Sequence, residues 1–225
     1  MIKILPIQAG VGNCFLVIQN NKFFLVDTGN TGYEEKIIAA ITSRGLNPQD
    51  LEFIFLTHTH YDHAGSAFAL KEKTGAKIIV HESEAQYLID GFHPIPNGTS
   101  PFFKFIIAMG RINEKSRSAF KAVVPDITFN NILDLKQFDF EGTIIHTPGH
   151  TLGSSSLIID HVAFVGDTMF NIMGKIYPPF ANDQDQLIHS WGKLIEFDKK
   201  FYYPAHGKRI TIDKLRLKLL KKHKI

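Results

Sequence analysis

Four residues of metal-ligating type, His58, His60, Asp62 and His63, lie within six positions of the sequence. They follow an apolar run at 53–56 that is typical of a buried strand. Side chains two positions apart in an extended segment point to the same side, so His58 and His60 can reach one ion. Asp62 and His63, at the turn into the next helix, can face a second ion. Buried imidazoles and carboxylates are costly unless paired or metal-bound, so this spacing predicts a metal site.

Three further candidate ligands lie later in the chain. His150, Asp167 and His206 each come directly after a short apolar run, and a Gly or Pro adjoins each of them. Functional residues are commonly placed on loops at the ends of strands of a rigid scaffold. Together with the first cluster, these residues predict a site that is assembled from the ends of several strands.

The composition is that of a globular protein, and it limits the classes of partner. Of the 225 residues, 44% are hydrophobic and 21% are charged, which excludes disordered and fibrous proteins. The formal net charge is +3, and the dense basic run is confined to 214–224. Strong nucleic-acid binders carry clustered basic stripes. We therefore expect a small-molecule substrate, and neither nucleic acid nor a membrane as a partner.

The cysteine content and the N-terminal sequence predict a cytoplasmic location. Cys14 is the only cysteine, so no intramolecular disulfide is possible, and we interpret it as a packing residue. Pro6 and Gln8 interrupt the N-terminal apolar run, which lacks the apolar segment of a signal peptide. No apolar stretch reaches the length of about 18 residues that a membrane-spanning helix needs.

The hydrophobic pattern alternates between strand-like and helix-like segments in two halves of similar size. Strands are predicted at 2–7, 13–19, 22–26, 53–56, 77–80, 127–129, 132–135, 143–146, 156–159, 162–165 and 201–203. Helices are predicted at 34–44, 64–73, 82–90, 184–197 and 213–222. Such alternation indicates sheets covered by helices. The predicted fold class is therefore α/β, and the two halves fit a four-layer αββα sandwich.

The length of the chain predicts one domain over residues 1–225. The alternation breaks at about 91–124, where turn residues precede an apolar, helix-like stretch. We predict that this insertion caps the site. A dimer contact and a lipid contact are the two alternatives, so a homodimer stays an open expectation.

In these motifs the sequence resembles the metallo-β-lactamase superfamily, and within it the glyoxalase II type (hydroxyacylglutathione hydrolases). The resemblance is carried by His58-x-His60-x-Asp62-His63, His150, Asp167, His206 and the early Asp27-Thr28-Gly29. It runs from about residue 2 to residue 207 and is interrupted at 91–124. It implies the metallo-β-lactamase fold, a four-layer αββα sandwich, with the site at the open edge between the two sheets.

The resemblance also implies a role for each matching residue. The first metal ion would be held by His58, His60 and His150. The second metal ion would be held by Asp62, His63 and His206. Asp167 would bridge both ions, and Asp27 would orient a ligand imidazole from behind. Asp62 is in addition predicted to be a catalytic residue.

The activity implied is that of a dinuclear metal-dependent hydrolase. Two divalent ions, with Zn²⁺ as the default and Fe or Mn as alternatives, would share a water and lower its pKa. The bridging hydroxide would attack a small ester, thioester or lactone carbonyl. Phe170 and His93 are candidate substrate-binding residues. The lactonases of the family have a Tyr at the position of Phe170, which disfavours the lactone.

Two alternatives from the same superfamily stay open. One is a mononuclear-iron persulfide dioxygenase, whose iron would use His58, His150 and Asp167. The other is a phosphodiesterase or nuclease of the same fold. A metal-dependent binding or sensor module without turnover is a third class, and the complete set of ligand-type residues disfavours it.

Overall fold

The computed structural model describes residues 2–111 and 114–222 of the chain. Within these residues, twelve strands form two six-stranded sheets. The first sheet contains β1 (Lys3–Ala9), β2 (Gly12–Gln19), β3 (Lys22–Val26), β4 (Leu51–Phe55), β5 (Lys77–His81) and β6 (Ile127–Phe129), in that spatial order. The second contains β7 (Ile132–Asp134), β8 (Gly142–His146), β9 (Ser155–Ile159), β10 (Val162–Gly166), β11 (Phe201–Pro204) and β12 (Ile210–Thr211), also in sequence order.

Both sheets are mixed. In the first sheet β1, β2 and β3 are antiparallel, whereas β3, β4, β5 and β6 are parallel. In the second sheet β10 and β11 are parallel and the remaining pairs are antiparallel. Helices occur at α1 (Glu34–Thr42), α2 (Tyr61–Ala64), α3 (Ala67–Thr74), α4 (Glu82–Asp90), α5 (Pro101–Gly110), α6 (Glu114–Ser118), α7 (Gln184–Glu196) and α8 (Ile212–Lys222).

Three hydrophobic clusters separate four layers of secondary structure. Strand β2 shows why, because successive side chains in a strand point to opposite faces. Its Phe15 and Val17 belong to the cluster between the two sheets, whereas Leu16 packs with Ile37 and Ile41 of α1 in the cluster under the first helical layer. The third cluster joins the outer face of the second sheet to α7 and α8. The prediction of a four-layer αββα sandwich is confirmed.

The inter-sheet cluster is rich in aromatic rings. Phe24 stacks on Phe53 at 4.6 Å between ring centroids, and Phe140 meets both rings edge-on. Phe15, Phe164 and Tyr203 form a second group of rings with centroids 5.1–5.7 Å apart. Much of the aromatic content of the sequence therefore fills the space between the sheets, which keeps the strand ends in fixed relative positions.

Most predicted elements are confirmed, with boundaries shifted by a few residues. A tight turn joins β9 and β10, and its Asp160 has a left-handed backbone (φ 50°). The two-residue β12 and the short α2 and α6 were not predicted, because such brief elements carry no periodicity of their own. Cys14 is buried in the core, as predicted. Burial is the largest of the effects that raise the pKa of its thiol.

The C-terminal helix α8 buries some of its apolar side chains against the rest of the chain and leaves others exposed. Leu215 is fully buried in the third cluster, whereas Leu217 and Leu220 are exposed. The last part of the basic run, residues 223–224, lies outside the described residues. In the part of the chain that the structure describes, no helix has the length and apolar character needed to cross a membrane.

Candidate metal centre

The candidate ligands lie where strands of both sheets end at one edge of the sandwich. His58 and the residues after it follow β4, and Asp27 follows the neighbouring parallel strand β3. In the second sheet, His150 follows β8, Asp167 follows β10 and His206 follows β11. These three strands run in the same direction, since β9 is antiparallel to both β8 and β10. The carboxyl ends of all these strands therefore meet at one place.

Three imidazoles, those of His58, His60 and His150, converge at this edge. His58 Nε2 lies 2.9 Å from His60 Nδ1, and His150 Nε2 lies 3.1 Å from the same atom. Burial, and then the neighbouring rings, lower the pKa of His58 and His60 well below the usual value. Burial also lowers the pKa of His150. Neutral imidazoles whose lone pairs face each other at these distances form an arrangement that a cation stabilises.

A second group contains Asp62, His63 and His206. Its donor atoms lie within 4.8 Å of one another, and His206 Nε2 is 3.3 Å from Asp62 Oδ2. Asp62 and His63 come from α2, which begins directly after His60. The chain therefore turns after the second histidine of the motif and directs the next two side chains to the other side of the site.

Asp167 lies between the two groups. Its Oδ2 is 3.4 Å from His150 Nε2 of the first group. Its Oδ1 is 3.4 Å from both His63 Nε2 and His206 Nε2 of the second group. Each carboxylate oxygen thus faces a different group. The structure brings all seven predicted ligand residues together in the two predicted groups.

Each ring nitrogen that faces away from the site has a hydrogen-bond partner. Three of the partners are backbone carbonyls: His60 Nε2–H donates to Pro94 O, His150 Nδ1–H to Phe180 O and His206 Nδ1–H to Val11 O, at 2.9–3.1 Å. His58 Nδ1 lies 3.2 Å from Thr57 Oγ1. Because a carbonyl can only accept, these bonds place a proton on the outer nitrogen of each ring, so the inner nitrogen is the one that would bind a metal ion.

Asp27 contacts the ring of His63 on the side away from the site. Its Oδ2 accepts from His63 Nδ1–H at 2.9 Å, and its Oδ1 accepts from the backbone N–H of Thr57 at 2.8 Å. Thr57 Oγ1–H also donates to this carboxylate. Asp27 has a left-handed backbone (φ 59°), which Asp and Asn tolerate better than most residues.

We expect Asp27→Asn to weaken metal binding at the second group by roughly 10- to 100-fold, the usual effect of losing such a partner. Asn tolerates the same backbone conformation and keeps the acceptor for Thr57. Its NH₂ group, however, would oppose the N–H of His63 and favour the tautomer that blocks Nε2. Competition with a chromophoric chelator measures the two affinities. An unchanged affinity for both ions would contradict the role of Asp27.

The electrostatics of the second group differ from those of the first. Burial opposes a charge on His63 and His206, but Asp167 outweighs it and raises the pKa of both. Asp27 adds to this effect at His63, and the pKa of His206 rises to about 10. Burial raises the pKa of the Asp62 carboxyl. The hydrogen bond to His206 and the charge of His63 have a larger effect in the opposite direction, so the pKa is lowered overall. Without metal, the second group is thus a cluster of ion pairs at 3.3–3.4 Å.

This difference predicts that metal binding at the second group releases protons and strengthens with pH. His206 is protonated below its pKa of about 10, so an ion must displace that proton throughout the neutral range. The first group is already deprotonated there. Calorimetric titration of the metal-free chain with Zn²⁺ in buffers of different ionisation enthalpy measures the protons released. Equal release for the two ions would contradict the prediction.

The residues fit metal ions. Among the described residues, two of the buried side-chain atoms without a hydrogen-bond partner are His63 Nε2 and Asp167 Oδ1, which point at each other across the site. Buried polar atoms are rarely left without a partner. Imidazole nitrogens and carboxylate oxygens are also the donor set that Zn²⁺ binds. An ion between these atoms would satisfy both of them.

Glu84 is a buried residue near the site that the sequence analysis missed. Its carboxylate accepts from the backbone N–H and hydroxyl of Thr59, at 3.0 and 2.7 Å, and from the hydroxyl of Thr151 at 2.7 Å. It also accepts from Gly153 N–H. One carboxylate thus connects the loop that carries His58 and His60 with the loop that carries His150. The sequence did carry a signal for it. Glu84 lies four positions before Leu88, which places both side chains on the same, buried side of α4.

The two candidate substrate-binding residues lie at opposite sides of the centre. His93 is buried, and its Nδ1 lies 3.0 Å from Glu84 Oε2 and 2.9 Å from Thr59 Oγ1. Its ring stacks on Tyr87 at 3.8 Å. Phe170 stacks on the His206 ring at 4.6 Å between centroids. His93 therefore contacts Glu84 and Thr59, which hold the loop of the first group in place. Phe170 contacts His206 of the second group.

Comparison with known proteins agrees with this geometry. A family model described as the metallo-beta-lactamase superfamily matches residues 7–206. Hydroxyacylglutathione hydrolase GloC of Haemophilus influenzae is 35% identical over 221 residues, which cover 94% of this chain and 92% of that protein. A probable metallo-hydrolase of Methanocaldococcus jannaschii is 27% identical over 202 residues, 87% of each chain. The crystal structure of the BLEG-1 B3 metallo-beta-lactamase superposes with a TM-score of 0.72 at 24% identity, over 95% of each chain.

The chain belongs to the metallo-beta-lactamase superfamily. Within that superfamily it is similar to the glyoxalase II type, and it is a metal-dependent hydrolase. The resemblance inferred from the motifs is confirmed on both points.

Proposed function

We propose that the protein binds two divalent metal ions, Zn²⁺ by default, and hydrolyses a small ester, thioester or lactone. The observation that carries the proposal is the position of Asp167, whose two carboxylate oxygens face two separate groups of three ligand-type residues. A thioester is the first substrate class to test, because the relative from Haemophilus influenzae is named a hydroxyacylglutathione hydrolase.

His58, His60 and His150 would hold one ion, Asp62, His63 and His206 the other, and Asp167 would contact both. When bound, a pair of adjacent divalent ions lowers the pKa of water toward neutrality and polarises the substrate carbonyl. Hydrolysis adds the oxygen of water to the acyl carbon and breaks the bond from that carbon to sulfur or oxygen. The leaving group takes up one proton.

The chain itself supplies position and proton handling. The outer hydrogen bonds of the imidazoles fix their tautomers, so the inner nitrogens stay unprotonated when ions are bound. We propose Asp62 as the catalytic residue, because its carboxylate lies at the second group, 3.3 Å from His206 Nε2, where it can accept a proton from the attacking water.

The first test is metal content per chain by plasma mass spectrometry, on protein purified without added metal. The protein is also assayed on a panel of thioesters, esters, lactones and phosphodiesters. We expect two Zn²⁺ per chain and hydrolysis of at least one thioester, ester or lactone. One Fe per chain with O₂ uptake on a persulfide would favour the dioxygenase. Turnover confined to phosphodiesters would favour the nuclease. Either result would overturn the proposed function.

A further inference from the structure

A groove of about 650 Å³ opens beside the metal centre. One wall comes from the insertion and includes Phe103. The other comes from the segment between β10 and α7 and includes Phe170, Met173, Tyr177 and Pro178. Of the described residues that line the groove, Lys175 alone carries a charge. The volume falls in the range of small-ligand sites, and the lining is mainly apolar, which is also typical of such sites.

One wall of the groove lies next to the metal centre. The Phe170 ring, which lines the groove, stacks on His206. Phe180 lies on the same segment between β10 and α7. Its carbonyl accepts the hydrogen bond from His150 Nδ1–H, and its ring meets Phe103 of the insertion at 5.4 Å. The groove therefore adjoins the metal centre through the Phe170 ring.

Backbone hydrogen bonds hold the two walls together. Thr99 N–H donates to Pro179 O at 2.9 Å, and Thr99 Oγ1–H donates to Pro178 O at 2.8 Å. Gly98 forms an isolated bridge with Phe180. The insertion is thus fixed to the opposite loop next to the groove, and the apolar surface between them is already formed without a ligand.

Met173 at the rim of the groove has no evident role in packing. Its side chain is 96% exposed, although it is large and apolar. Its backbone is left-handed (φ 49°), a conformation that is unfavourable for Met. Met173 and Gly174 are the two central residues of a tight turn between Ile172 and Lys175, which accounts for the left-handed backbone. The turn presents the exposed Met173 side chain as an apolar rim of the groove.

We propose that this groove binds the apolar acyl chain of the substrate, with about four to eight carbons, and so selects acyl esters or thioesters of that class. The inference rests on the proposed function. The acyl carbonyl would lie at the metal centre near His206 and His150. The chain would extend past Phe170 and Phe103 toward Met173. A chain without charge fits this lining, because the described residues that border it include one cation and no carboxylate.

The first experiment uses the metal-loaded enzyme and N-acetylcysteamine thioesters of acetate, butyrate, hexanoate and octanoate. Burial of each methylene group is expected to raise kcat/KM about fourfold while the chain stays within the groove. We expect hexanoyl to exceed acetyl by at least tenfold in kcat/KM. A flat series, or a preference for acetyl, would overturn the inference.

Two variants with the same substitution locate the effect. Met173→Asn places a polar residue at the rim, and Asn tolerates the left-handed backbone, so the fold is kept. We expect the hexanoyl-to-acetyl ratio to fall at least threefold. Met109→Asn is the matched control, because Met109 is similarly exposed (65%) but lies outside the groove. It should leave the ratio unchanged. An equal effect of both variants, or none from Met173→Asn, would contradict the assignment.

A binding measurement separates the groove from the reaction. Octanamide and acetamide are titrated calorimetrically into the metal-loaded protein, and Phe103→Ala is expected to weaken octanamide binding at least fivefold. Absence of octanamide binding overturns the inference even if thioesters are hydrolysed. Binding of octanamide by a protein that holds two ions but hydrolyses no thioester, ester or lactone leaves the groove in place and overturns the proposed function.

Discussion

Asp167→Asn is expected to abolish turnover, with a loss on the order of a thousandfold or more in kcat, while the chain stays folded. The substitution keeps the shape of the side chain but removes a charge that the structure places between His63, His150 and His206. An amide has one acceptor oxygen, so it can serve one metal group and not both. Loss of electrostatic stabilisation at a reacting centre commonly costs several kcal/mol.

Metal content and circular dichroism, measured on the same preparation, distinguish the causes of that loss. We expect fewer than two ions per chain and an unchanged far-UV spectrum. Asp213→Asn is the control, because Asp213 is an exposed carboxylate in the first turn of α8, outside the site. Full activity of Asp167→Asn with two ions bound would refute the bridging role of this residue.

Glu84→Ala is expected to lower the free energy of unfolding by about 3–5 kcal/mol, because it breaks a buried charged network. The substitution leaves the backbone N–H groups of Thr59 and Gly153 without an acceptor, and His93 without its carboxylate. It also removes the connection between the two loops that carry the first group of imidazoles. We therefore expect weaker metal binding at that group as well.

Urea unfolding of the metal-free protein at pH 7 measures the first effect, and chelator competition measures the second. Glu84→Gln keeps one acceptor oxygen and should lose about 1–3 kcal/mol. Gln86→Ala, on the exposed face of the same helix, should change stability by less than about 0.5 kcal/mol. A stability loss for Glu84→Ala no larger than that of the control would show that the network contributes nothing.

The contribution of Glu84 to the free energy of unfolding depends on pH through the pKa of its carboxyl. Burial raises this pKa, but the hydrogen bond and charge of His93 and the hydroxyls of Thr59 and Thr151 lower it below the ordinary value of 4.5. The contribution is therefore present above about pH 4.5 and is lost as the pH falls further. The stability difference between wild type and Glu84→Gln should narrow in that acidic range.

The sequence determined the fold class and the identity of the ligand-type residues. The reason is that both signals are local. Apolar segments of strand length alternate with segments of helical periodicity in two halves of the chain, so sheets covered by helices could be predicted from the sequence. The spacing from His58 to His63 is also a local signal, because it determines which of these side chains point in the same direction.

Only the tertiary structure decided what supports and surrounds those ligands. His206 is held by the carbonyl of Val11, 195 positions away, and His60 and His150 by the carbonyls of Pro94 and Phe180. A backbone carbonyl is present at every residue, so its use as a support leaves no mark on the residue type. The Glu84 network and the apolar groove depend in the same way on segments that are distant in the chain. They became visible only once the folded chain had brought those segments together.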